Sequence, residues 1–294
     1  MAAMKQRKLN IKEDWAKREW REIVNDAEFT QEFRLQRLEK VERELSAPSQ
    51  VEFGAYITGC GSLSFLNAKL GIQEFAGSRI NEGWKLISDG LICKLTEFKI
   101  QFAMGFPCAY SGVFKEAALI FGTALAIGSS EVRDWLAPFI LETEANFKSK
   151  LRPKEPDEFE YLCLLLAAEV CGVSSKQVWR DAMDASFYAP LWNATTAEEV
   201  QKALGPIAIT RAKLCLESLC DYPPFEWPPF NLFPIEILAV LQMRKFEHLQ
   251  FDFGGMESPL CHPPSELKWE KPAIIARVEA RVRELYNYPT IEWK

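Results

Sequence analysis

Apolar positions along this chain return at intervals of three and four far more often than at two, and that period predicts helices almost throughout. Between Ser62 and Gln101, one stripe runs through Leu63, Leu66, Leu70 and Phe75, and a second through Trp84, Ile87, Leu91, Leu95 and Phe98. Two such stripes in succession predict a helical hairpin. Residues 9–46 alternate charges around Ile11, Trp15, Ile23, Phe29, Phe33, Leu35, Leu38 and Leu45 as the apolar stripe, which predicts one or two amphipathic helices broken near Asn25 and Asp26. Apart from the short "EHLQFDFG", no stretch of useful length alternates with period two, so strands should be few.

Stop signals divide the helical pattern further. An apolar helix after Tyr110 is halted by "GSS", and a second begins near Glu131 with Ser130 as its N-cap. The same grammar returns in "DEFEYLCLLLAAEVCGVSSKQVWRDAMDA", an apolar helix ended by Gly172 and recapped at Ser174 or Ser175. "IGSSEVRDW" and "CGVSSKQVWRD" lie about forty residues apart, a spacing within the range of helical-hairpin repeats. The proline-rich "DYPPFEWPPFNLFP" cannot be a helix interior, and its aromatics Phe225, Trp227, Phe230 and Phe233 predict a loop anchored on the fold. Pro234 then opens the apolar helix "IEILAVLQMRKFEHL", and "KPAIIARVEARVRELYN" is the last. The pattern predicts an all-α fold of stacked helical hairpins, repeat-like, with a Pro/aromatic loop before the C-terminal helices. An N-terminal amphipathic segment, 1–50, would precede a main helical domain, 51–294.

Composition changes this picture little: 48% hydrophobic residues in a 294-residue chain are enough to bury a large core. The longest apolar runs, Ala117–Ile127 and Leu162–Val170, are about half the ~20 residues a membrane-spanning helix needs. The charged N-terminus lacks the apolar core of a secretory signal, so a cytoplasmic protein without a membrane partner is expected. The eight cysteines have no zinc-type spacing and read as reduced core residues.

Charge is more informative. The net charge of −6 is concentrated in residues 151–294, which carry 15 basic and 21 acidic side chains. That distribution disfavours nucleic acid and favours a basic protein partner.

Familiar catalytic patterns are absent. The chain has no GxSxG and no P-loop, and Cys261 and His262 are adjacent and so point apart. His248, Asp252 and His262 do not have HExxH spacing. Asp181 and Asp184 lie three apart on one helix face without a second acidic cluster to complete a cation site. Among 41 acids a converging catalytic pair cannot be chosen from sequence. No catalytic residue, metal or cofactor is expected, with a helical enzyme bearing an acidic active site as a second alternative.

One further pattern lies in the helix led by Phe233, Pro234 and Glu236 and continued by Leu238, Ala239 and Leu241, followed by Leu260, His262 and Pro263. It resembles the closing segment of large all-helical immunity proteins from bacterial polymorphic-toxin systems, contact-dependent or type VI secreted. Here Cys-His-Pro-Pro stands where that segment has His-Pro-Leu. "INEGWKLISDGLICKLTEFKIQ" and "FKEAALIFGTALAIGSSE" resemble the paired middle helices of such proteins, so the likeness spans residues 60–265.

The resemblance implies a cytoplasmic, non-catalytic protein that binds and blocks one cognate toxin domain, and the acidic charge implies a basic one. A helical-repeat scaffold for peptide or protein partners is the alternative. Exposed acids and aromatics are the candidate toxin-binding residues: Glu155, Asp157, Glu158 and Glu160, then Asp181, Asp184 and Trp192, then Asp252 and Glu257. The N-terminal helices would complete the core or assist a homodimer.

Overall fold

The computed structural model describes residues 21, 23–47, 53–103, 111–147, 157–217, 233–246, 249 and 270–286. They form an all-α protein, with no strand among the described residues. The helices are α1 (Ala27–Ser46), α2 (Phe53–Ala76), α3 (Ile80–Ala103), α4 (Ser111–Ala126), α5 (Ser130–Phe147), α6 (Glu158–Cys171), α7 (Gln177–Asp184), α8 (Ala189–Trp192), α9 (Ala197–Glu217), α10 (Ile235–Met243) and α11 (Ala273–Tyr286). None is long and apolar enough to cross a membrane.

Two compact units share the chain: one takes Met1–Glu22 and Phe121–Ser265, the other Ile23–Ile120 and Glu266–Lys294. The units therefore divide the chain at other places than the 1–50 and 51–294 boundaries expected from sequence.

In the second unit, α2 and α3 form the hairpin that their two stripes predict. A Cβ built at Gly71 would stand 2.7 Å from the carbonyl oxygen of Gly83, so the two helix backbones approach where neither residue has a side chain. Around this hairpin Val41 of α1, Tyr56, Cys60 and Leu63 of α2, and Ile92, Cys93 and Ile100 of α3 enclose Ile275, Val278 and Val282 of α11. Cys60 and Cys93 are free and buried, as expected of reduced core thiols, and burial pushes Cys60 up to about 12, with Glu97 and Glu279 adding to the shift.

The chain turns at Asp26, where the sequence predicts a break, and α1 follows. Polar tethers hold α1 against α2: Arg34 donates to Asn67 at 2.6 Å, and Lys69 pairs with Asp26 at 2.6 Å. Here the expected apolar stripe holds at Ile23, Leu38 and Leu45 and is corrected at Phe29 and Leu35. Phe29 is 64% and Leu35 49% exposed, while the residues α1 buries are Thr30 and Val41. Arg34 and Asn67 make the contact in the first half of α1, while Leu38, Val41 and Leu45 meet the apolar core further along, and Phe29 and Leu35 are left facing outward.

In the first unit, α4 and α6 end alike. Gly128 and Gly172 adopt positive φ, and the next residue closes a Schellman turn: Ser129 N–H to Ala124 O at 2.8 Å, and Val173 N–H to Ala168 O at 3.0 Å. The serine caps are displaced from their expected places. Helix α5 begins at Ser130, so Ser129 is the residue before it. Helix α7 follows Lys176, and Ser175 instead accepts from Arg180 Nε at 2.7 Å. Helix α6 starts with a complete capping box, Glu160 N–H to Asp157 at 2.8 Å and Asp157 N–H to Glu160 at 2.9 Å. Helix α10 is buried from Ile235 to Leu241 and stops at Met243, short of the sequence expectation, because Lys245 turns to φ 60°.

Candidate functional site

The described acids of the candidate set do not all serve one purpose. Asp157 and Glu160 spend their side chains on the first turn of α6, and Glu160 is buried. Glu158, between them, is exposed, and its carboxylate accepts from the backbone N–H of Phe187, in the connection between α7 and α8. Partial burial raises its pKa, the charge of Asp157 adds to the rise, and the Phe187 hydrogen bond opposes it. Glu155, Asp252 and Glu257, like His248, Cys261 and His262, lie outside the described residues.

Asp181 and Asp184 share the exposed side of α7, as their spacing requires. Asp181 accepts from Gln177 at 2.7 Å, one turn earlier in the same helix. Asp184 accepts from Asn193 Nδ2 at 3.1 Å, across the α7–α8 corner. The inner side of α7 is fixed by Trp179, buried beneath Lys176 with its indole N–H donating to Glu144 of α5 at 3.4 Å. Lys176 also pairs with Glu144.

Next to Asn193, Trp192 is half-buried. The Arg244 guanidinium lies 4.7 Å from the centroid of its ring and reaches Glu169 at 3.2 Å. The chain thus brings Glu169 from the last turn of α6, Trp192 from α8 and Arg244 from the end of α10 to one place. A guanidinium stacked on indole presents one flat, half-desolvated platform, with the residue types that dominate protein interfaces. Val173 and Val178, 51% and 50% exposed, lie on the connection into α7 and on its first turn.

The sequence reading names Trp192, Asp181 and Asp184 as candidates and does not name Glu169, Asn193 or Arg244, which the fold brings beside them. The pairing of Trp192 with Arg244 joins residues far apart in sequence, and no local pattern marks it.

The stretch that builds this corner is acidic in sequence, and Arg244 is a cation that α10 brings to it. Residues 155–199 contain nine Asp/Glu against Lys176 and Arg180 as the only bases. Both bases are engaged within the unit, Lys176 with Glu144 and Arg180 with Ser175.

The other concentration of polar chemistry is internal. Arg211 and Glu236 are fully buried and in ion-pair contact, and Arg211 Nη2 also donates to the Phe233 carbonyl at 2.8 Å. Glu236, one of the residues that carry the immunity-protein resemblance, is thereby occupied in the core. Burial raises its pKa and the Arg211 charge opposes the rise. Among the described residues no group of three or more His, Cys, Asp or Glu is placed to hold a metal ion.

Comparison with known proteins returned no matching family model, no matching curated protein and no matching solved structure.

Proposed function

We propose that this chain is a cytoplasmic, stoichiometric inhibitor of a basic bacterial toxin domain, an immunity protein that docks its target on the α7–α8 corner of the first unit. The observation that carries the reading is the acidic charge of residues 155–199, with Glu158, Asp181 and Asp184 exposed and Asp184 held by Asn193 next to the Trp192–Arg244 platform. Exposed carboxylates speed and orient the approach of a cationic partner, and the aromatic platform supplies the short-range contact that slows its departure.

The test is co-expression in a bacterial host with the toxin domain encoded by the neighbouring gene, followed by size exclusion of the pair. Rescue of growth with a stable complex is expected. The substitutions Asp181→Lys and Asp184→Lys together should slow association about tenfold and flatten its salt dependence. Trp192→Ala should weaken the complex by about 2 kcal/mol, chiefly through faster dissociation. Toxicity without rescue, or a complex indifferent to all three substitutions, overturns this reading.

A helical-repeat scaffold is the second reading, and the matching glycine-closed ends of α4 and α6 favour it. It predicts several weak peptide partners and no rescue.

A further inference from the structure

Helix α1 presents an outer face that its own unit does not use. Among the described residues Phe29 is the most exposed of the large apolar side chains, its ring stacks on Phe33 with centroids 5.9 Å apart, and Arg37 covers the other end of the pair at 4.6 Å from the Phe33 centroid. Along the same side stand Glu32, Gln36, Lys40 and Arg43, all exposed. Among the described residues neither Lys40 nor Arg43 has an ion-pair partner, and Glu32 is met only by Gln36 at 3.3 Å. Aromatics and an acid at one end and cations at the other make a face whose complement is its own reversed copy.

We infer that the outer face of α1 is the interface of a two-fold homodimer in which α1 packs antiparallel on α1 of a second copy, centred at Gln36. The register follows from charge and helix geometry. With Gln36 on the axis, Glu32 of one chain lies level with Lys40 of the other, about 6 Å along the helix from the centre. Phe29 lies level with Arg43, about 10 Å from it, so that a cation can cover the exposed ring. Each of these contacts occurs twice, as two-fold symmetry requires. A parallel pairing would set Lys40 against Lys40 and Glu32 against Glu32, which selects the antiparallel arrangement. One helix against its copy buries less than the about 1,200 Å² of a standard interface, so the dimer is a weak one that forms with rising concentration.

Sedimentation velocity of the full chain from about 1 to about 300 μM, a range spanning weak association, tests this. The weight-average mass should climb from 33.6 kDa towards twice that value. Glu32→Lys and Lys40→Glu should each raise the dissociation constant about tenfold, the size of a lost charge pair turned repulsive. The double variant Glu32→Lys/Lys40→Glu, which restores both pairs with their signs exchanged, should return to within about threefold of the parent. These positions are exposed, so the variants keep the fold. A mass fixed at one chain across the range overturns the inference. So does a dimer that neither single substitution weakens, or a double variant no tighter than the singles.

Discussion

Arg211 and Glu236 are the costliest of the described residues to place, since both side chains have no exposure to solvent. Taking a carboxylate and a guanidinium out of water costs several kcal/mol each, and their mutual attraction and the Phe233 carbonyl help to offset it. The expected consequence is strong non-additivity. Arg211→Met or Glu236→Leu alone should each destabilise by about 3–5 kcal/mol, because each leaves the other charge buried without its partner. The double variant should recover most of that loss. Tyr188, buried close by, supplies a control. Its phenol pKa stands well above the usual value, first through burial and then through the Glu236 charge, with Arg211 opposing. Its hydroxyl has no hydrogen-bond partner among the described residues, so Tyr188→Phe should be neutral or slightly stabilising. Urea denaturation of the four variants checks the set, and additive losses for Arg211 and Glu236 would show that the pair is not coupled.

Helix α3 carries two buried acids, Asp89 and Glu97, whose pKa values are raised chiefly by burial. Lys94 sits between Glu97 at 2.9 Å and Glu116 at 3.1 Å and opposes the shift at Glu97 without cancelling it. A raised carboxyl favours the protonated fold, so its contribution to stability is fully present below the ordinary value of 4.5 and is lost as pH rises through the folded value. The urea midpoint of the parent should therefore fall relative to that of Glu97→Gln as pH rises from about 4.5 to 7. A constant difference across that range would mean that Glu97 does not titrate as its burial requires. Element by element, the sequence predicts the α2–α3 hairpin, the break at Asp26, and the ends of α4 and α6 correctly, because each rests on local stripes, glycine stops or turn residues. It carries α10 too far, since a lysine at the left-handed position gives no warning that the helix ends. It assigns Phe29 and Leu35 to the core side of α1 because periodicity reports that a helix has an apolar side, without saying which side the neighbouring helix will choose.

The candidate surface was legible only where it is local: Asp181 and Asp184 are three apart on one helix, whereas Trp192 meets Arg244 only because α8 and α10 come together in the fold. The acids of 155–160 show the opposite error. Their composition suggests a recognition patch, yet Asp157 and Glu160 are bound into the α6 cap, so reversing their charge should loosen the helix before it affects any partner. The same dependence on distant segments governs the second unit. Its core closes only when residues 273–286 return after the chain has built the first unit, because Ile275, Val278 and Val282 are enclosed by α1, α2 and α3. The returning helix is held at several points: Glu279 accepts from Thr96 at 3.1 Å, Arg277 pairs with Glu42 at 2.7 Å, and Arg281 donates to the Ala47 carbonyl at 3.2 Å. Each buried aliphatic of α11 contributes about 1.5–3 kcal/mol, so their joint loss is comparable to the stability of a whole domain. Deleting residues 266–294 should therefore abolish slow hydrogen exchange in α2 and α3 while amides in α6 and α10 remain protected. Retained protection in α2 and α3 would show that the hairpin is stable without its returning helix. A loss spread evenly over both units would show that they unfold together rather than as separate cooperative bodies.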